Sequence, residues 1–386
     1  MHANSQFLHI APAAHRVKHA KLLPAALTAI VCCGEDSWSS KLRIERAHEP
    51  AQTGLRAFRI GSARRGGELM KAIVQEKYGG PEHLRLADIP VPEPGKGQIR
   101  VKVLACAVNL SDWEYLIGSP FYARLVGGLM RPKHPVLGSD IVGVVEKLGP
   151  DTTGFSIGDR VMGDLVMVRG GFAQYACVRA AEMARVPDTL SDEIAACLPQ
   201  AGGIAVAGTE GLEPGNTLLI NGAGGGSGTM ALQLAKAAGA HVAAVDNASK
   251  LDWLKSLGAD DVIDYRDKDF AQTGQRWDRI LDMVATRGPA KIAPALSRGG
   301  KYWALGGNAG VLLALVFGGL RFWRKKKSIG MLMVPSGREL TTRVAQLAVE
   351  GKIAPHLEAV LPLSSVPEAL RRTGLGEVKG KLVIRP

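Results

Sequence analysis

The sequence predicts an α/β protein: a doubly wound parallel sheet joined to a second, β-rich unit of barrel-like texture. Three observations carry that prediction. Residues 217–239, TLLINGAGGGSGTMALQLAKAAG, read as a short buried strand, a glycine turn and a helix. From Thr217 onward, strand-like runs alternate with helical patterns, the signature of a parallel sheet covered on both faces. Between Met70 and Val178 the runs are all β-like and are broken by prolines.

Residues 1–69 differ in texture from the rest of the chain. The first acidic residue is Glu35, and Arg16, Lys18 and Lys21 precede an apolar run from Leu22 to Val31. The stretch resembles a signal or transit segment, yet no small-x-small cleavage site precedes Cys32. Met70 opens a normal first strand, so 1–69 is read as a leader or start-site extension outside the fold. Strands are then expected at Ala72–Gln75, Gln98–Ala107, Ile141–Leu148 and Ala173–Val178, punctuated by Pro90, Pro92, Pro94, Pro132 and Pro135.

In the second half the expected order is a strand Thr217–Ile220, the glycine turn, and a helix carrying Met230, Ala231, Leu234, Ala235 and Ala238. Next come a strand His241–Val245, a helix Ser249–Leu257, strands Asp261–Tyr265 and Ile280–Val284, a helix Ala290–Leu296 and a strand Tyr302–Leu305. A strand Ser328–Val334, a helix Arg338–Val349 and a final strand Leu382–Ile384 complete the chain.

The glycine turn carries chemistry. Glycines at 222, 225 and 228 permit positive φ and remove the β-carbon that would strike phosphate oxygens, while the helix start offers unpaired N–H groups and its positive dipole end. Asp246 ends the next strand about 20 residues later, the spacing of a ribose-binding acid in a dinucleotide-binding βαβ unit. The 386 residues suffice for two domains. The five cysteines lack any CxxC or disulfide-framework spacing, which points to a reducing compartment and a cytoplasmic location. A net charge of +12 is spread along the chain without aromatic-interleaved basic modules, which argues against nucleic acid as a partner. The apolar run 311–320, followed by Arg321, Arg324, Lys325, Lys326 and Lys327, is too short to span a bilayer. It reads as a buried helix or subunit contact, or as peripheral membrane contact through 311–327.

Several motifs resemble the medium-chain dehydrogenase/reductase superfamily, in its zinc-independent quinone oxidoreductase branch. They are NLSDW at 109–113, HPVLGSDIVGVVEKLG at 134–149, FSIGDRVMG at 155–163, GGFAQY at 170–175, GAGGGSGTMALQLAKAAGA at 222–240, SLGADDVIDY at 256–265 and EALRRTGLGEVKGKLVI at 368–384. The resemblance implies a GroES-like catalytic barrel in two pieces, 70–198 and 336–386, flanking a Rossmann nucleotide-binding domain at 199–335. It also implies an active site in the cleft between them and, by analogy, a homodimer. Asn109 and Ser139 match the positions of the superfamily's Cys and His zinc ligands, and neither is a usual zinc ligand, so no metal is expected. Cys106 is read as a small buried residue.

What the resemblance leaves is hydride transfer from a reduced nicotinamide to a quinone, enone or similar conjugated carbonyl. Asn109, Asp112 and Tyr115 are the catalytic candidates: Asn109 as an N–H donor, Asp112 as the residue that fixes the loop, Tyr115 as a proton donor. Tyr115 stands one residue out of register, with Glu114 at the matching position, and Tyr122 is off the enoyl-reductase pattern. Gly222, Gly225, Gly226, Ser227, Gly228, Asp246, Lys250, Tyr265 and Gly306 are the cofactor candidates. Asp246 suits NAD(H); Lys250 and Tyr265 match positions that grip a 2′-phosphate. NADP(H) is favoured on the expectation that Asp246 turns towards solvent. The alternatives are a nucleotide-binding protein with vestigial catalysis and an alcohol dehydrogenase-like activity.

Overall fold

The computed structural model describes residues 67–307 and 327–386, with 310, 311 and 313–315 between them. The reading of residues 1–66 as a leader, and of most of 311–327 as a membrane contact, lies outside the described residues. Six parallel strands form one sheet in the order β10-β9-β8-β11-β12-β13. They are β8 (Thr217–Asn221), β9 (His241–Asp246), β10 (Asp261–Asp264), β11 (Trp277–Asp282), β12 (Leu296–Ala304) and β13 (Ser328–Met331). Burial on both faces explains why the central strands β8, β9 and β11 read as mostly apolar runs. Leu218, Ile220, Val242 and Ala244 enter one core, and Leu219, Ala243 and Val245 enter the other. The strand order reverses between β8 and β11, which opens a crevice at their carboxyl ends.

The second sheet runs β14-β15-β3-β4-β5-β7, with β6 also paired to β3. Its strands are β3 (Gln98–Ala107), β4 (Asp140–Leu148), β5 (Arg160–Asp164), β6 (Tyr175–Arg179), β7 (Ala184–Arg185), β14 (Leu357–Pro362) and β15 (Lys381–Arg385). A hairpin of β1 (Leu69–Gln75) and β2 (Leu84–Pro90) joins it through single bridges from Ala72 to Ala173 and from Val74 to Val136. The long connection from β3 to β4 carries the helices Leu110–Ile117 and Phe121–Gly127, and the C-terminal strand closes against β3 through Val383 and Ile384.

Three boundaries move. Leu69 pairs with Pro90, and the Glu68 carbonyl accepts the Val91 N–H at 3.0 Å, so ordered structure begins before Met70. The helix Arg338–Val349, assigned from sequence to the barrel's second piece, packs on the helix Pro199–Thr209, where Val344 joins the core of Leu218 and Leu281. Its apolar stripe finds its partner there, while Arg338 donates to the Met183 and Ala180 carbonyls and Ala345 enters the core with Val142 and Val383, so the helix bridges the two sheets. The helix expected at Ala290–Leu296 is one turn, Pro289–Ile292, followed by a 3-10 turn, because Leu296 already starts β12.

Candidate functional site

Each glycine of the turn after β8 is required for a different reason. Gly222 alone of the three takes a positive φ, 88°, and so turns the chain. Gly225 has φ −84° and caps the helix Gly226–Ala237, so the expectation that it needs positive φ is corrected. A β-carbon at Gly225 would meet only the Gly222 carbonyl oxygen, at 3.7 Å, and would otherwise project into open space. At Gly228 it would lie 2.5 Å from the carbonyl oxygens of both Gly222 and Ala223, so this glycine lets the helix sit against the turn. The backbone N–H groups of Gly226 and Ser227 lie in the first helical turn, where no intrahelical acceptor exists. The open space before Gly225 and these donors fit the pyrophosphate of a dinucleotide.

Asp246 does not turn towards solvent, contrary to the expectation behind the NADP(H) preference. It is 8% exposed; its Oδ2 accepts the Gly224 N–H at 2.8 Å and its Oδ1 the Asn247 N–H at 2.9 Å. Lys250, four residues on along the chain and 3% exposed, places its Nζ 3.5 Å from Asp246 Oδ1. The helix after β9, Ala248–Ser256, carries the lysine back over the turn, where a β-carbon on Gly224 would strike its Cδ at 2.5 Å. Tyr265 stands just beyond β10 with its ring 47% exposed and the Arg266 guanidinium 5.6 Å from its centroid.

Across the cleft, the barrel contributes a buried polar chain. Lys381, 3% exposed at the start of β15, donates to Asn109 Oδ1 and, at 3.1 Å, to the Val108 carbonyl. Asn109 Nδ2 donates to Ser139 Oγ at 2.9 Å, and Ser139 Oγ donates to Asp112 Oδ2 at 3.2 Å. The same Asp112 oxygen accepts the Asn109 backbone N–H at 3.0 Å, and Oδ1 accepts the Gly138 N–H at 3.2 Å. Asp112 therefore fixes the loop, in the manner of a capping-box acid at the start of the helix Leu110–Ile117. Burial pushes its carboxyl above the ordinary range, with the Arg169 charge opposing. Asp140 lies 3.8 Å from Lys381 Nζ and accepts the Gln200 N–H at 3.1 Å; burial raises it strongly, and Asp164 nearby raises it further. Cys106 is fully buried and its thiol is pushed up by burial, as expected of an inert side chain.

The two halves meet at β15. The Gly380 N–H donates to the Gly224 carbonyl at 2.9 Å, and a β-carbon on Gly226 would strike the Lys381 stem. One lysine thus packs on the glycine turn and holds the loop at Asn109. Sequence reasoning passed over it; the signal was the Gly-Lys pair immediately before the last apolar strand.

Tyr115 is not brought to the cleft. A step of one residue on a helix rotates a side chain by about 100°, and its ring lies in the barrel core under the Arg169 guanidinium, 3.1 Å from the ring centroid. Arg169 is 3% exposed, and its two terminal nitrogens have no hydrogen-bond partner among the described residues. The cleft instead receives Glu114 and Tyr122, with Tyr122 Oη donating to Glu114 Oε2 at 2.8 Å. They face Gly306, just past the carboxyl end of β12: a β-carbon there would lie 3.5 Å from Glu114 Oε1 and 3.6 Å from Tyr122 Oη.

A phosphate turn at the switch point of a parallel sheet, opposed by a polar barrel wall, defines a two-domain nucleotide-dependent oxidoreductase. Comparison with known proteins agrees. Residues 95–188 match the family model described as an alcohol dehydrogenase GroES-like domain, and residues 257–384 the one described as zinc-binding dehydrogenase. The chain is 31% identical over 339 residues to the chloroplastic quinone-oxidoreductase QR1 of Triphysaria versicolor, covering 83% of this chain and 99% of that protein. It is 31% identical to the 2-methylene-furan-3-one reductase of Solanum lycopersicum, covering 82% and 79% respectively. The solved quinone oxidoreductase of Coxiella burnetii superposes with a TM-score of 0.71 at 28% identity, covering 83% of this chain and all of that one. The chain belongs to the medium-chain dehydrogenase/reductase superfamily, in its quinone oxidoreductase branch.

Proposed function

We propose that the protein reduces quinones, enones or similar conjugated carbonyls by hydride transfer from NAD(P)H, without zinc and with NADP(H) preferred. The observation that carries this reading is Lys381, whose buried ammonium points at Asn109, where the zinc-dependent relatives place a thiolate ligand. An amide and a hydroxyl are poor ligands for zinc, and the lysine cation beside them repels a divalent ion. The bound dinucleotide supplies the hydride. Gly225, Gly226 and Ser227 hold its pyrophosphate, Gly306 lines the nicotinamide end of the cleft, and Asn109, held by Lys381, Ser139 and Asp140, positions the loop of the barrel wall. The NADP(H) preference is supported by Asp246, whose oxygens are committed to Gly224, Asn247 and Lys250 and so are poorly placed to receive both ribose hydroxyls. Lys250 and the exposed Tyr265, with Arg266 beside it, supply donors for a 2′-phosphate.

Steady-state NADPH oxidation with a panel of quinones and enones, paired with metal analysis, tests the reading. Turnover in metal-free protein supports it. Stoichiometric zinc with alcohol oxidation would replace it with a dehydrogenase, and tight nucleotide binding without turnover would leave a vestigial binder. A homodimer and a cytoplasmic location are part of the proposal. Among the described residues β13 pairs only with β12, which leaves an open edge for a second copy. Sedimentation and cell fractionation check these two points. No helix among the described residues is long and apolar enough to cross a membrane.

A further inference from the structure

The geometry points to Glu114 as the general acid of the reduction, with Oε1 delivering the proton that accompanies hydride and Tyr122 holding Oε2. The inference rests on the proposed reductase activity and gives a role to the residue that stands where the family pattern matches. Ligands of open parallel sheets bind outside the carboxyl ends of the strands, and Gly306 stands just past the end of β12. Glu114 Oε1 is the barrel atom nearest to the β-carbon direction of Gly306, at 3.5 Å. Its partner oxygen is engaged by Tyr122, while no hydrogen bond from a described residue reaches Oε1. Glu114 is only partly buried, so water can return a proton to it.

The step balances. Hydride from the reduced nicotinamide forms a C–H bond at the electron-poor carbon, and the displaced π pair moves to the carbonyl oxygen. The proton on Glu114 Oε1 then forms the new bond at that oxygen, or at the adjacent carbon of an enone. The substrate gains two electrons, the nicotinamide loses them, and the Glu114 carboxylate is reprotonated by water. Burial raises the Glu114 carboxyl above its ordinary range, and the Tyr122 hydroxyl and the Arg169 charge oppose that shift. Those are the groups that face it: Tyr122 from the helix Phe121–Gly127, Arg169 from the turn after β5, and nothing titratable from Gly306.

The test compares wild type, Glu114→Gln and Tyr122→Phe. In wild type, kcat for an enone should fall as pH rises through the Glu114 pKa and should show a solvent isotope effect. Glu114→Gln should lower kcat by roughly 100-fold, abolish both the pH limb and the isotope effect, and leave NADPH affinity unchanged. Tyr122→Phe removes a bond that favours the ionised form and should move the limb to higher pH. In the nucleotide-free protein, difference infrared spectra should show a carboxylic-acid band that titrates with the limb, moves in Tyr122→Phe and is missing in Glu114→Gln. Wild-type turnover with an unchanged kcat and pH limb in Glu114→Gln overturns this inference alone. Absence of turnover by wild type on quinones and enones removes the reductase reading and this inference with it.

Discussion

Replacing Gly225 and Gly228 separately by alanine distinguishes a turn that binds a nucleotide from one that only reverses the chain. At Gly225 the backbone, φ −84° and ψ 174°, is open to any residue, and the new methyl meets one atom, at 3.7 Å. Gly225→Ala should therefore change stability by no more than about 1 kcal/mol, weaker helix capping being offset by lost freedom of the unfolded chain. Its methyl enters the space where the pyrophosphate oxygens would meet the helix start. Displacing one charge-assisted contact costs about 1.5 to 3 kcal/mol, a roughly 10- to 150-fold weaker nucleotide complex. At Gly228 the methyl would lie 2.5 Å from two carbonyl oxygens, so Gly228→Ala should destabilise the fold by about 1 to 3 kcal/mol through forced separation of turn and helix. Thermal melts and fluorescence titration with NADPH give both numbers for each variant. Unaltered affinity in Gly225→Ala would falsify the pyrophosphate assignment, whatever its melting temperature.

Lys250→Ala should weaken NADPH by about 10- to 100-fold and NADH hardly at all; a wild-type preference for NADH that is lost on Asp246→Ala would move the assignment to NAD(H). Lys381→Met strands Asp140 and the acceptors Val108 and Asn109, and should cost about 3 to 5 kcal/mol in denaturant unfolding. Adding Asp140→Asn should restore part of that loss, and strict additivity would show that the two groups do not interact. Burial raises Asp164 from 3.8 to about 6. A raised folded pKa favours the folded state fully below the unfolded value and loses that contribution as pH rises through the folded one. Unfolding free energy should fall between about pH 4 and 6 by at most about 3 kcal/mol, at about 1.36 kcal/mol per unit. Asp164→Asn, which keeps an acceptor for the Val166 N–H, should flatten that slope; an unchanged slope refutes the assignment.

The parallel sheet was legible because its strands are short apolar runs with turn residues between them, and a run buried on both faces needs no long-range information to be recognised. Strands β2 and β14 were missed for the opposite reason: Leu84–Pro90 and Leu357–Pro362 alternate weakly and are half exposed, so pairing partners rather than composition make them strands. The helix Pro199–Thr209 was missed because two glycines at its centre lower its propensity; they are there because Val344 and Leu340 of the helix Arg338–Val349 press on Gly202 and Gly203. In the site, the turn could be found by spacing, and Asn109, Asp112 and the position of Glu114 by resemblance to the family. Lys381 could not, because it acquires its role from neighbours far away in sequence, Asn109 and Gly226.

Lys381 also settles which way Asn109 points, and with it what the loop can do. An ammonium has only donors, so it must face Oδ1, and Nδ2 is turned to Ser139. Ser139 then gives its single proton to Asp112, which as a carboxylate only accepts. The amide nitrogen of Asn109 is thereby turned to Ser139 and to the Asp140 carboxylate, so its side chain is held on both sides by the protein. The lysine and the two polar residues form one buried arrangement, in which a protein cation is held against the loop at 108 and 109.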